Sequence, residues 1–207
     1  MSNQEAIEQT KGRSATYHVL SRCFSRPDRH LDQLTTALDQ IVHVFGLSPG
    51  FEPLSVCLSD TELEYNRLFV GPGRLPCPPY ESVHRKDRPE VEAGLVMGPS
   101  VHDVLKRYSE AGFSLGSGFR DLPDHIEVEM EFMHLLCEKE LESQGEWSPW
   151  RRRQEEFVRL HLVPWVYHFA DRVEQKSRSP FYKSAALLLR EFVSTEAATQ
   201  TGVDSLR

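Results

Sequence analysis

Apolar residues recur along this chain at intervals of three and four, the spacing that lines one face of a helix. The clearest stripe is Leu31, Leu34, Leu38, Ile41, Val42 and Phe45, with Asp28 as its N-cap and Gly46 as its stop. Upstream, residues 3–24 carry Tyr17, Leu20, Cys23 and Phe24 on one stripe that ends at Arg26-Pro27. Ser59-x-x-Glu62 reads as a capping box opening a short helix through Leu63, Leu68 and Phe69 to Gly71. Ser100 opens another, through Val101, Val104, Leu105 and Tyr108, stopped by Gly112. The longest element is expected from about Leu122 to Ser143, with Pro123 near its start. Ser148-Pro149 starts the next, through Phe157 and Leu160, and Pro164 either kinks it or begins a separate helix with Trp165, Phe169 and Val173. Ser179-Pro180 opens the last, whose inward face is Phe181, Ala185, Leu188, Leu189, Phe192 and Val193.

No alternating run of strand length and no internal repeat interrupts this pattern. Composition agrees: 23 leucines, 21 glutamates and three isoleucines favour helix, because β-branched side chains lose rotamer freedom there. The expected fold is all-α, a single globular multi-helix domain of roughly eight or more helices over residues 1–194. Residues 195–207 lack a stripe and are expected as a flexible C-terminal tail.

A net charge of −7 argues against nucleic acid as a partner. No segment approaches the ~18 apolar residues of a membrane span, and the N-terminus lacks the pattern of a secretory signal, so a cytoplasmic location is expected without stable membrane insertion. Cys23, Cys57, Cys77 and Cys137 form no C-x-x-C pair, which leaves four reduced thiols as the default.

Two loops break the helical rhythm: Gly71–Arg85, with four prolines and two glycines, and Gly112–Leu122, with three glycines. Leu75, Pro78, Pro79 and Tyr80 make the first more apolar than a solvent linker needs, which points to function. Gly116-Ser117-Gly118 lacks the Gly-Lys-Ser/Thr of a phosphate loop, and no Gly-x-Ser-x-Gly elbow occurs. His125 and Glu129 share a helix face, as His161 and His168 can, yet His134 falls opposite His125. No metal ligand set is therefore assigned. On the helix from Leu122, Asp124, Glu127, Glu131, Glu138 and Glu142 gather on one arc, read as a solvated face. Glu129 falls in the apolar arc instead, where a carboxylate must be paired or hydrogen-bonded.

Three collinear motifs resemble the TorD/DmsD family of redox-enzyme maturation chaperones. The first is Glu64-Tyr65-x-x-Leu68-Phe69, then Gly71-Pro72 and Pro78-Pro79-Tyr80-Glu81-Ser82-Val83. The second is Pro123-Asp124-His125-Ile126-x-x-Glu129-Met130-Glu131-Phe132-Met133. The third is Phe157-x-x-x-His161-Leu162-x-x-Trp165, followed by Phe181-Tyr182-x-x-x-Ala185. Tyr65 and Tyr80 stand where other members often carry tryptophan.

The resemblance implies a non-enzymatic cytoplasmic chaperone. Its partners would be the apo-form of a molybdopterin oxidoreductase catalytic subunit and the twin-arginine leader of that subunit, held until cofactor insertion and then released for export. The implied client-binding residues are Tyr65, Leu68, Phe69, Pro79, Tyr80, Asp124 and His125, supported by Glu127, Glu129 and Glu131. No cofactor is required; the resemblance admits a guanine nucleotide, without a phosphate-cradling motif to accompany it. It admits a monomer or a helix-exchanged dimer. Physically, two guanidinium groups followed by an apolar segment call for carboxylates beside a hydrophobic groove. Two rival readings stay open: a metal-dependent hydrolase using His125 and Glu129 with His161 or His168, and an assembly factor for a non-exported enzyme of the nitrate reductase type.

Overall fold

The computed structural model describes residues 2–48, 56–71, 75–85, 98–116, 121–143 and 149–204, with side chains of the last helix to residue 199. Pro72, Ser117, Gly118, Ser148 and residues 205–207, all named in the expectations above, lie outside the described residues.

Nine helices are present among the described residues: α1 (Asn3–Phe24), α2 (Leu31–Val44), α3 (Leu58–Tyr65), α4 (Glu81–His84), α5 (Pro99–Glu110), α6 (Ile126–Ser143), α7 (Pro149–Phe157), α8 (Val166–Lys176) and α9 (Pro180–Asp204). There is no strand among them, and the all-α expectation holds. Gly46 and Gly112 follow α2 and α5 with φ of 68° and 72°, the left-handed stop that glycine adopts without steric cost. Pro164 lies in a turn, so α8 is a separate helix.

Several boundaries differ from the sequence reading, each for a local reason. Asp28 accepts the His30 backbone N–H at 2.8 Å but does not cap α2, whose first residue is Leu31. No capping box forms at Ser59, because α3 starts two residues earlier, with Cys57 as its N-cap and Leu58 as its first residue. A capping box does form at Ser2 and Glu5, where α1 begins. α6 begins at Ile126, because residues 123–125 are turned aside into contact with another segment. The expected tail is helical as far as Asp204. Its anchor is Glu196, 6% exposed, which binds the Arg13 guanidinium and accepts the Tyr17 hydroxyl at 2.7 Å. A charged anchor leaves no apolar stripe to read.

α1 lies along α6 in the most extensive helix pair among the described residues, and α8 with α9 and α7 with α6 complete the packing. Phe24, Phe69, Phe169 and Tyr182 interlock edge-to-face or tilted at centroid separations of 5.4–6.2 Å, and Tyr108, Phe113, Phe132 and Phe157 form a second aromatic cluster. Trp165 is fully buried beside the first cluster, 5.4 Å from Phe169.

Two helices end in wide π-helical turns, Asn66–Val70 after α3 and Val158–Leu162 after α7. Each is closed by an N–H reaching five residues back: Gly71 to Asn66 at 2.7 Å, and Val163 to Val158 at 2.9 Å. A Cβ at position 71 would lie 3.2 Å from that Asn66 oxygen, which favours glycine there.

Candidate functional site

The proline-rich segment and the turn before α6 are hydrogen-bonded to one another. The Ile126 N–H donates to the Pro79 carbonyl at 2.9 Å and the Glu81 N–H to the Asp124 carbonyl at 3.0 Å. These bonds make an isolated antiparallel bridge between Tyr80 and His125. Asp124 Oδ2 adds a third, accepting the Ser82 N–H at 2.9 Å and so capping α4 from outside its own segment. Tyr108 donates to the Pro123 carbonyl at 3.0 Å, and Cys77 N–H to the Leu68 carbonyl at 3.1 Å. The first two sequence motifs are thus one physical unit, closed across 45 residues of chain from Tyr80 to His125.

Beneath this bridge lies a buried polar cluster. The Glu81 carboxylate receives Arg85 Nη1 at 2.6 Å on one oxygen and sits 3.0 Å from His161 Nδ1 with the other. Arg85 also donates to the Leu160 carbonyl at 3.0 Å, tying α4 to the second π-turn. Glu129, fully buried, accepts the Trp165 indole N–H at 3.2 Å. The partner that its position in an apolar arc demanded is therefore present. Burial, then the neighbouring Glu81 and Asp124 carboxyls, push Glu129 well above the usual carboxylate range. Asp124 is also pushed up, by burial first and by Glu81, against the hydrogen bonds from Ser82 that favour its charge. Burial lowers His125 to about 4, so this imidazole is neutral near pH 7, and its Nδ1 accepts the Glu127 N–H at 3.1 Å.

The edge of the unit is different in character. Tyr80 is partly exposed, its ring set edge-on to His125 at 5.3 Å, and its hydroxyl donates to Asp121 Oδ1 at 2.9 Å. Glu127 stands nearby with its side chain 32% exposed. Burial raises its carboxyl to about 6, with Asp121 and Glu131 adding to the shift and Arg22 opposing it. Tyr65, almost buried, is raised to about 12 by burial and by the charges of Glu127 and Asp121. Two tyrosines, Asp121, Glu127 and the half-exposed Glu131 thus form an acidic, aromatic rim, with Arg22 beside Glu127. Leu63 and Val70, ahead of the proline-rich loop, and Val83, near its end in α4, are three of the large apolar side chains exposed among the described residues.

The expected site residues divide accordingly. Tyr80, Glu127 and Glu131 reach solvent, and Tyr65 borders them. Leu68 and Phe69 are core, and Pro79, Asp124, His125 and Glu129 are buried within the unit. Asp124 does not lie on a solvated acidic arc; it faces the α4 backbone because α6 starts two residues after it. The arc itself is not wholly solvated, since Glu131 faces His18 and Glu138 accepts from Ser14, both on α1. Glu64 of the first motif is a clamp, accepting from Arg67, from Ser177 and from the Arg178 backbone ahead of α9. Asp121 and Arg22 join the rim from outside the motifs, with no local signal to mark them. His125 and Glu129 belong to no group of three metal-capable side chains among the described residues.

The nitrate reductase delta subunit family matches residues 28–171, a span that takes in the bridge, the buried cluster and the rim's tyrosines and acids. The chain belongs to this family. Within it, the TorD/DmsD resemblance is borne out. Chaperone protein TorD of Vibrio parahaemolyticus is 25% identical over 200 residues, covering 95% of this chain and 89% of that protein. The perchlorate reductase assembly chaperone protein of Dechloromonas aromatica is 26% identical over 212 residues, covering 91% and 90%. A solved structure of a redox enzyme maturation protein from Archaeoglobus fulgidus superimposes with a TM-score of 0.57 at 25% identity, over 87% of this chain and 93% of that one. The named members are chaperone and assembly proteins rather than catalysts. No helix among the described residues is long and apolar enough to cross a membrane.

Proposed function

We propose that this protein is a cytoplasmic chaperone for one molybdopterin oxidoreductase, which binds the apoprotein and its twin-arginine leader before cofactor insertion and export. The observation that carries the reading is the rim of Tyr65, Tyr80, Asp121 and Glu127. Burial holds the Glu127 carboxyl up at about 6 even with Arg22 nearby, so an arriving guanidinium adds favourable charge there, beside the Asp121 carboxylate that accepts the Tyr80 hydroxyl. Tyr80 offers a face on which a guanidinium stacks, and Leu63, Val70 and Val83 offer apolar surface to the segment that follows the arginines. Buried Asp124 and His125 serve the site by fixing the bridge that presents Tyr80, rather than by touching the client.

The test is calorimetric titration with the leader of the client identified by co-purification. Binding in the micromolar range, about −8 kcal/mol, is expected for the native leader, and at least a tenfold loss when both arginines become glutamine. Glu127→Gln should weaken the native leader and leave the glutamine leader unaffected. Equal losses with both leaders would refute the arginine contact. The family's description as nitrate reductase delta subunits favours a second reading, an assembly factor for an enzyme that is not exported. In that case a client co-purifies and its N-terminal peptide shows no arginine dependence.

A further inference from the structure

Away from the rim's tyrosines, α1 and α6 bring together three metal-capable side chains: His18 from α1, and Glu131 and His134 from successive positions on one face of α6. One donor atom from each lies within 4.8 Å of the other two, in the one such group among the described residues. His18 Nδ1 stands 3.4 Å from Glu131 Oε2, and the two imidazole rings are 4.8 Å apart. The tautomer of His134 follows from its neighbours. Its Nδ1 lies 3.2 Å from the Ser14 carbonyl, which can only accept, and 2.8 Å from the Ser14 hydroxyl, whose proton goes to Glu138. Nδ1 therefore carries the hydrogen, and the lone pair of neutral His134 resides on Nε2. A ring whose second nitrogen donates to backbone or side-chain oxygen is how metal-binding histidines are held.

We propose that His18, Glu131 and His134 bind one divalent transition-metal ion of the zinc class, with water as a fourth ligand, and so tie α1 to α6. Tetrahedral zinc at about 2.0–2.2 Å from nitrogen and oxygen separates its ligands by roughly 3.4 Å. The His18–Glu131 pair already has that spacing, and a half-exposed His18 is free to turn toward His134. Two imidazoles with one carboxylate favour zinc, nickel or copper over magnesium or calcium. No local pattern in the sequence marks all three ligands, because His18 lies on another helix.

The experiment is titration of the untagged full chain with Zn2+ against a chromophoric chelator. We expect one ion per chain with a micromolar dissociation constant, unaffected by excess Mg2+. His18→Ala, on a half-exposed side chain, should weaken zinc at least about tenfold with an unchanged circular dichroism spectrum, and Glu131→Gln should do the same. Co2+ should give visible absorption bands in the native chain that disappear in His18→Ala, a readout that stands even where His134→Ala loses structure. Absence of stoichiometric zinc binding, or native affinity in His18→Ala, overturns the site.

Discussion

Two buried acidic sites lie at opposite ends of α6, and the protein treats them in opposite ways. Toward the C-terminal end, Glu196 has a full complement of partners: the Arg13 guanidinium, and the Tyr17 hydroxyl at 2.7 Å. Burial works against its charge, yet those bonds hold the carboxyl below its usual range. Toward the N-terminal end, Glu81, Asp124 and Glu129 are all buried, and Arg85 is bound to Glu81. There burial prevails, and Asp124 and Glu129 are pushed upward. One end is a lock made by charge. The other keeps acids where their charge is costly, where the two motif segments meet and beside the rim assigned to the client. Such cost is tolerated at functional sites and offset elsewhere.

The contrast is most easily broken at the lock. Arg13→Ala leaves the Glu196 carboxylate buried without its cation and should cost about 3–5 kcal/mol in urea denaturation. Replacing both partners with methionine should recover most of that loss. A loss below about 1 kcal/mol would remove the distinction between the two ends.

At the other end the effects are smaller and depend on which atom is kept. Asp124→Ala removes the external cap of α4 and should cost about 1–2 kcal/mol. Asp124→Asn retains an oxygen for the Ser82 N–H and should be nearly neutral at pH 7. The pH dependence runs in opposite senses. Because the folded protein raises Glu129, its stabilising share is complete below the ordinary carboxylate range and is lost as pH rises through the raised value. Glu196, held low, contributes above that range and loses its share on acidification. Glu129→Gln, which keeps an acceptor for Trp165, should therefore match the native protein near pH 4.5 and exceed it in stability by pH 8. A constant difference between pH 4.5 and 8 would contradict this. Glu127→Gln is the mildest change: by removing a carboxyl raised to about 6 it should leave the fold no less stable at pH 7, while weakening arginine-dependent binding. In the native chain, that binding should strengthen from pH 5 to 7, as Glu127 loses its proton around pH 6.

The stripe from Leu31 to Phe45 could be read directly because apolar periodicity is its entire signal, and α2 occupies 31–44 of it. The need of Glu129 for a partner is legible for the same reason: a carboxylate in an apolar arc requires one, and Trp165 supplies it. What escaped were features set by distant chain. Residues 123–125 carry helix-opening signals, yet they bond to residues 79–82 instead. Residues 195–204 carry no stripe, and Arg13, far off in sequence, reaches their Glu196. Asp124 and Glu127 look alike on a helical projection, and the single bond to Ser82 puts one inside and leaves the other at the rim.

The wide turns at Asn66–Val70 and Val158–Leu162 bear on how this chain can vary. Each holds one residue more than an α-turn, and one residue on a helix is about 100° of rotation. Deleting any residue between 66 and 70 would let an ordinary turn close in place of the bond from Gly71 to Asn66. The residues after the deletion would then rotate out of phase with those before it, and the Leu68 carbonyl and the Cys77 N–H that it receives would no longer meet. Length changes are normally absorbed in loops; between Asn66 and Gly71 the number of residues is itself part of the architecture.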